Sequence, residues 1–502
     1  MALVSGALLF LSFPPYGAGI VAWVALVPLL FALPQGSIKT AMATGFLSGL
    51  VCNVGLLYWL APVIVNYGQQ PWVLGLAVLL SLAAYLSIYF ALFAGGVYYL
   101  QKRGLSQLIG APLLWTCLEY LKSHLLTGFP WENLAYSQFL YTPLIQSADI
   151  TGIYGISFLI IFINALICDI VNGFVQTFPD DGSLLREVTG ALLMFAALLI
   201  YGQLRIHEMQ AKMESAPAID VTLIQGNIDQ GVKWEPRYQE EALAAYNALS
   251  RRASPGRGGL IVWPETAAPF YFQDSDSKSR EVCRMARETG DWLLFGSPGY
   301  RNVKSGVNFL NSAFLLSPLG SIAGRYDKVH LVPYGEYVPL RGLFPFAGKL
   351  VAGTGDIHPG KGYAPLFLLG HKIGVLICYE GIFPEAGRTY KKEGAELLVN
   401  ITNDAWFGTS SAPYQHLSMT VFRAVENRLY VLRAANTGIS AIIDPTGKII
   451  SQTALFVETA LPGQARFIDN KTFYVAYGDL FVYLCFISLL LIYMNYRRKK
   501  DE

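Results

Sequence analysis

Residues 1–204 form an almost unbroken succession of apolar runs, and only 14% of the 502 residues are Asp, Glu, Lys or Arg. A soluble chain carries roughly a quarter. A run of about 20 apolar residues matches the ~30 Å hydrocarbon core of a bilayer, where backbone groups must be satisfied within the segment and the helix is the economical solution. Residues 2–13, 18–34, 40–64, 73–99, 107–127, 152–175, 187–204 and 477–495 are therefore expected to give about eight spans. The first is short and abuts Phe13-Pro14-Pro15-Tyr16-Gly17, a turn signal. It lacks the basic start and the small-residue cleavage site of a secretory signal, so it reads as a span.

Basic residues orient the bundle. Lys39, Lys102, Arg103, Arg186 and the tail Arg497-Arg498-Lys499-Lys500 fall on one side, while loops 14–17, 65–72 and 128–151 hold neither Lys nor Arg. Positive charge in short loops marks the cytoplasmic side. The expected organisation is a membrane bundle over 1–204 (about seven helices), an extracytoplasmic domain over 215–470, a closing helix over 477–496 and a basic cytoplasmic tail over 497–502. In a Gram-negative cell this is an inner-membrane protein with both termini cytoplasmic and its soluble domain periplasmic. Such a domain has no access to ATP. No basic stripe with interleaved aromatics is present, which argues against a nucleic-acid partner.

The soluble stretch alternates strands and helices. Strands are expected at 219–228, 258–266, 291–300, 311–318, 371–380, 395–404 and 438–447, and helices at 238–252 and 413–436. Several strands are apolar throughout, so both faces of a sheet should be covered. The fold class is α/β, with two sheets between helix layers.

Two of the apolar strands stop at reactive groups, LIVWPETAAP (260–269) at Glu265 and KIGVLICYEGIFPE (372–385) at Cys378, and a further segment, YDKVHLVPYGEYVPL (326–340), carries Lys328. A thiol titrates near ~8.5 and needs a base to attack at neutral pH. The six histidines are scattered without metal spacing. His330, two residues from Lys328, contends as a base. A carboxylate held dry near the thiol serves equally, and a lysine beside the tetrahedral oxyanion supplies positive charge, with the backbone N–H after the nucleophile as a second donor. Cys283 and Cys378 are the two cysteines outside the expected spans. A disulfide between them is the alternative to a free nucleophile. Asn403 and Asp404 read as a turn after a strand.

The three motifs resemble the nitrilase superfamily, in which a V-W-P-E-type strand, a Y-x-K-x-H-L-V-P-type segment and an I-C-Y-E-type strand supply a Glu–Lys–Cys triad. The resemblance implies an α-β-β-α sandwich with Glu265 as general base, Lys328 as oxyanion stabiliser and Cys378 as nucleophile. With the sandwich inserted in a polytopic α-helical membrane bundle, the whole chain is similar to the apolipoprotein N-acyltransferase family. That likeness implies transfer of an acyl chain from a phospholipid donor (phosphatidylethanolamine-like), through a thioester, to the amine of a diacylated apolipoprotein acceptor. It implies neither cofactor nor metal. It also picks out Trp234, Glu336, Tyr379 and Glu380. The bland readings are a core aromatic for Trp234, a surface carboxylate for Glu336 and a structural ion pair for Glu380.

Residues 340–355 alternate glycines with Leu343, Phe344, Phe346 and Leu350. Exposed apolar side chains mark an interaction site, and beside a membrane they read as a lid contacting lipid, with Phe129-Pro130-Trp131-Glu132 as a candidate opposite wall. The bland reading is a buried satellite cluster. Two other functions compete: a membrane-tethered amidase hydrolysing C–N bonds with the same triad, and a transporter with an inert outer module. The few ionisable residues in the spans, Glu119, Lys122 and Asp169, argue against the transporter.

Overall fold

A computed structural model describes residues 1–502 except 176–182, 232, 255, 257, 305, 339–355 and 502. The chain divides into two compact units, Met1–Leu60 with Leu76–His207 and Ala476–Glu502, and Ala61–Gly75 with Glu208–Val475.

In the first unit, Ile38–Leu57, Trp72–Gln101, Ile153–Gly173, Leu185–Ser215 and Leu480–Arg498 are long and apolar enough to cross a membrane. The chain is a membrane protein. The count of about eight holds only approximately, for identifiable reasons. The stretches at 2–13 and 18–34 are the shorter helices Ala2–Leu11 and Gly19–Ala32. The second of these breaks between a 3-10 turn, Gly19–Trp23, and a helix, Val27–Ala32. Its freed backbone groups find side-chain partners, as depth in a bilayer requires. Asn164 accepts from Leu26 N (2.8 Å) and donates to Ala22 O (2.9 Å), and Ser5 accepts from Leu29 N (2.9 Å). The 107–127 stretch is the helix Gln107–His124, with Pro112 inside it.

The expected 40–64 span also breaks, after Leu57, and a new helix runs Leu60–Gly68. Pro62 stands in its first turn, where a missing N–H costs nothing. Residues 61–75 group with the second unit.

The second unit holds two six-stranded sheets. The strands are β1 (Ala218–Gln225), β2 (Leu260–Val262), β3 (Trp292–Val303), β4 (Gly306–Leu316), β5 (Ile322–Asp327), β6 (Leu366–Leu368), β7 (His371–Ile377), β8 (Leu397–Thr402), β9 (Tyr430–Ala435), β10 (Ala441–Ile443), β11 (Ile449–Gln452) and β12 (Thr459–Arg466). The sheet orders are β12-β1-β2-β3-β4-β5 and β11-β10-β9-β8-β7-β6. In each, the centre is parallel (β1, β2, β3 and β7, β8, β9) and the flanks antiparallel. Parallel strands covered on both faces explain the uniformly apolar sequences: β2, β8 and β9 are buried at every residue.

Helices Pro236–Arg252 and Ser277–Thr289 cover the first sheet, with Leu243, Tyr246, Val282 and Met285 packed on Ile261, Trp263, Leu293 and Phe295. Pro384–Lys392 and Ala412–Asn427 cover the second. The two sheets face one another through β1 and β9 and through β4 and β7. The fold is the expected α-β-β-α sandwich.

One expected element is two. The 413–436 helix ends at Asn427, Arg428 turns left-handed (φ +53°), and β9 follows. No Gly or Pro marks the break, and Leu429–Ala435 is as apolar as the helix before it. A short apolar run is ambiguous between strand and buried helix by pattern alone. The flanking strands carried no strong signal for other reasons: β6 and β11 are only three and four residues long, β5 is largely polar, and Pro462 and Gly463 interrupt β12.

Candidate active site

Glu265, Lys328 and Cys378 lie at the C-terminal ends of strands or just beyond them. β2 ends at Val262, and the turn Trp263–Thr266 brings Glu265 back over β3. That return demands a glycine opposite: a Cβ on Gly296 would sit 2.4 Å from Thr266 N and 2.7 Å from Glu265 Cα. Lys328 follows β5 directly, its N–H bonded to Asn311 O at 2.8 Å. Cys378 follows β7 and opens a 3-10 turn, Cys378–Ile382, rather than extending the strand to residue 380.

The turn at Cys378 is sharp. The residue has φ +53°, a left-handed conformation that costs a side-chain-bearing residue about 1–2 kcal/mol. Its surroundings hold it there. Glu380 accepts from Ile377 N at 2.7 Å, and Cys378 O faces Asn400 Nδ2 (3.4 Å) and His416 Nε2 (3.2 Å). Asn400 and His416 are anchored in turn. Arg433 donates to Asn400 Oδ1 and, at 2.7 Å, to Asp404 Oδ2, and His416 Nδ1 lies 3.1 Å from Asp404 Oδ1. All of these side chains are buried. Asp404 is thus no mere turn residue. It neutralises the Arg433 guanidinium that holds Asn400 under the Cys378 turn.

Glu265 and Lys328 face each other across 3.7 Å, with side chains 8% and 1% exposed. Asn311 Nδ2 donates to Glu265 Oε1 (2.8 Å) and to Glu336 Oε1 (3.0 Å), and Asn403 N–H donates to Glu265 Oε2 (3.0 Å). Lys328 Nζ reaches Glu336 Oε2 at 2.9 Å. Glu336 is held as well by Val332 N at 2.8 Å, so it is a partner of the ammonium and not a loose surface carboxylate.

Burial works against the Lys328 charge, but Glu336 and Glu265 outweigh it and hold the ammonium above the ordinary lysine range. Burial, with Glu265 adding, pushes the Cys378 thiol well up, against the pull of Lys328. The resting group is a thiol that must hand its proton to a neighbour. His330 is a poor recipient: burial, then Lys328, takes it down to about 4, and its ring stacks on Phe383 at 3.7 Å.

The remaining candidates separate by role. Glu380 is fully buried and accepts from Tyr326 Oη (2.7 Å), Val329 N (2.7 Å) and His330 N (3.0 Å), so it ties the Lys328 segment to the Cys378 turn. Burial raises it to about 7, with its hydrogen bonds acting the other way. Tyr379 is buried against Phe383, rings 5.0 Å apart. Trp234 is 39% exposed, which is not a core position. Leu343, Phe344 and Phe346 lie outside the described residues, as does the rest of the expected lid at 340–355. Cys283 and Cys378 are both free, so the disulfide alternative fails. Among the described residues no cluster of His, Cys, Asp or Glu is arranged to hold a metal ion.

Sequence reasoning passed over Asn311 and Lys233 and gave Asn403 only as a turn residue. Asn311 was legible only as a polar residue opening an apolar strand. Tyr67 falls in the loop expected over 65–72. It bonds Ala405 O at 2.9 Å and stacks edge-on with Trp406, within the second unit and beside Asp404.

Comparison with known proteins bears on the whole chain. Residues 5–166 match the family described as Apolipoprotein N-acyltransferase N-terminal domain, and residues 220–464 match Carbon-nitrogen hydrolase. The apolipoprotein N-acyltransferase of Geobacter metallireducens is 48% identical over 99% of this chain and 95% of its own. This chain belongs to the apolipoprotein N-acyltransferase family. The relative of the same name from Pasteurella multocida is 32% identical over 99% of this chain and 94% of its own. A solved carbon-nitrogen hydrolase from Helicobacter pylori aligns with 50% of this chain and 89% of its own at 18% identity, with a TM-score of 0.37.

Proposed function

We propose that the protein matures lipoproteins by moving an acyl chain from a phospholipid, through a thioester on Cys378, to the free amine of an N-terminal diacylglyceryl-cysteine. The observation that carries this is the meeting of Glu265, Lys328 and Cys378 in a chain whose full length matches apolipoprotein N-acyltransferases. In the first half-reaction Glu265 takes the Cys378 proton as sulfur attacks the ester carbonyl. Lys328 faces the oxyanion, and collapse expels the lyso-phospholipid alkoxide, which recovers the proton from Glu265. In the second, the acceptor amine attacks the thioester, Glu265 takes its proton, and the thiolate leaves and is reprotonated. The amide is formed without ATP because the donor ester's free energy is held in the thioester. Glu336 fixes Lys328, and Trp234, exposed near the site, contacts substrate. The domain faces the periplasm, where lipoproteins present that amine.

A membrane-tethered amidase with the same triad is disfavoured by the match of the membrane half itself to the acyltransferase family. The deciding experiment is a two-stage incubation. Phospholipid alone should add one fatty-acyl mass to the peptide containing Cys378, removable by neutral hydroxylamine. A diacylated lipopeptide should then discharge it, and the acetylated lipopeptide should not. Rapid release of free fatty acid, independent of acceptor, would assign a hydrolase instead.

A further inference from the structure

Lys233 lies in the segment after β1 and is only 2% exposed. Burying an ammonium is expensive unless an opposite charge compensates, and a leucine or methionine would fill the same space at lower cost. The segment leaves it little choice of position. Asn227 N donates to Asn436 O (2.9 Å), Ile228 N donates to Asn436 Oδ1 (3.0 Å), and Asn403 donates to Gln230 Oε1. The lysine's hydrogen bond is a long one, 3.4 Å to the backbone carbonyl of Glu265. The ionised group acting on it is Glu265.

Among the described residues, the charges around Glu265 nearly balance. Lys328 approaches its Oε1 at 3.7 Å but is shared with Glu336 at 2.9 Å. Cys378 is a neutral thiol at rest, and Asn311 and Asn403 N–H are neutral donors. Asp404, which also acts on Cys378, is balanced by Arg433. Glu380, which Lys328 also influences, is held by backbone N–H groups and Tyr326. Two carboxylates, Glu265 and Glu336, therefore face one ammonium unless Lys233 is included. With it the buried group is neutral.

We propose that Lys233 is a positioning residue for acyl transfer: its buried ammonium, held against the Glu265 backbone, supplies the second positive charge opposite the Glu265–Glu336 pair. The inference rests on the reading of Glu265 as the base. Burial lowers Lys233 to about 8 with Glu265 opposing, so the charge is present at neutral pH.

The test is the rate at which phospholipid acylates Cys378 in the purified full-length protein, from about pH 5 to about pH 9. Lys233→Met should move the acid limb of the profile up by about one pH unit, so that the rate near pH 6 falls ~10-fold while the alkaline plateau changes less than ~3-fold. Lys233→Arg should keep the wild-type limb. Lys233→Gln keeps a donor for the Glu265 carbonyl and drops the charge, so it should shift the limb as Met does. A wild-type limb in the Gln variant would assign the residue to its hydrogen bond, and an equal loss at every pH would assign it to packing. Either result overturns the proposal. Glu265→Gln is measured alongside. If that variant keeps the wild-type rate, the base assignment itself is wrong, whereas a dead Gln variant with an unshifted Lys233→Met limb refutes only the role of Lys233.

Discussion

Cys378 combines a left-handed backbone with a thiol that burial keeps protonated. In the proposed mechanism it reacts only when its neighbours act together. Cys378→Ala should therefore abolish thioester formation while leaving a folded membrane protein, checked by mass of the trapped intermediate. Cys283→Ala should be close to neutral. Glu265→Gln and Lys328→Met should each slow acylation of Cys378 by ~100–1000-fold, the usual cost of one lost transition-state partner. Beneath the thiol, Asp404 and Arg433 form a fully buried pair at 2.7 Å. Asp404→Asn leaves the guanidinium uncompensated and should cost about 3–5 kcal/mol in stability. The same residue sets an acid limit. Burial alone would raise it, but Arg433 and His416 bring it down to about 2. Its contribution is present in full above the ordinary carboxyl value of ~3.9 and is lost as pH falls toward 2. A melting series across that window should show the loss in the wild type and a flatter curve in Asp404→Asn.

At the scale of elements, the site depends on close approach between a turn and a strand. Gly296 in β3 lies under the Glu265 turn, and its N–H bonds Pro264 O at 3.1 Å. Gly296→Ala places a methyl against backbone that cannot yield as a side-chain tip would. We expect a stability loss of about 1–3 kcal/mol from overpacking. Activity should fall further than stability implies, since a shift of about 1 Å at a reacting group can cost ~100-fold. Equal kcat in the alanine variant, with the melting temperature lowered, would separate the turn from the chemistry. Helix ends matter likewise. Arg428 in its left-handed turn stops the Ala412–Asn427 helix and lets β9 deliver Arg433 to Asp404.

For the whole molecule, the distribution of Lys and Arg among short loops is the basis of the proposed orientation. In a Cys283→Ser background, Gln70→Cys should react with a membrane-impermeant maleimide added outside intact cells, and Lys102→Cys should not. Labelling of the second and protection of the first would invert the topology. The proposed outward orientation fits the energetics of the proposed reaction, since a thioester needs no nucleotide to reach the amide.

Hydropathy fixed the membrane character, because a bilayer accepts little besides apolar helix. Motif order singled out Glu265, Lys328 and Cys378, the first and last because each follows an apolar strand. Uniformly buried strands gave the layered α/β class. The sequence could not show that residues 61–75 belong with the catalytic unit, that an apolar run after Asn427 is a strand, or that Asn311, Asn403 and Lys233 meet Glu265. Apolar pattern reports burial but not partner, and Asn or Lys looks alike in a sequence whether it faces water or a buried carboxylate. Only the crossing of two sheets brings β1, β4 and β8, far apart in the chain, to one proton.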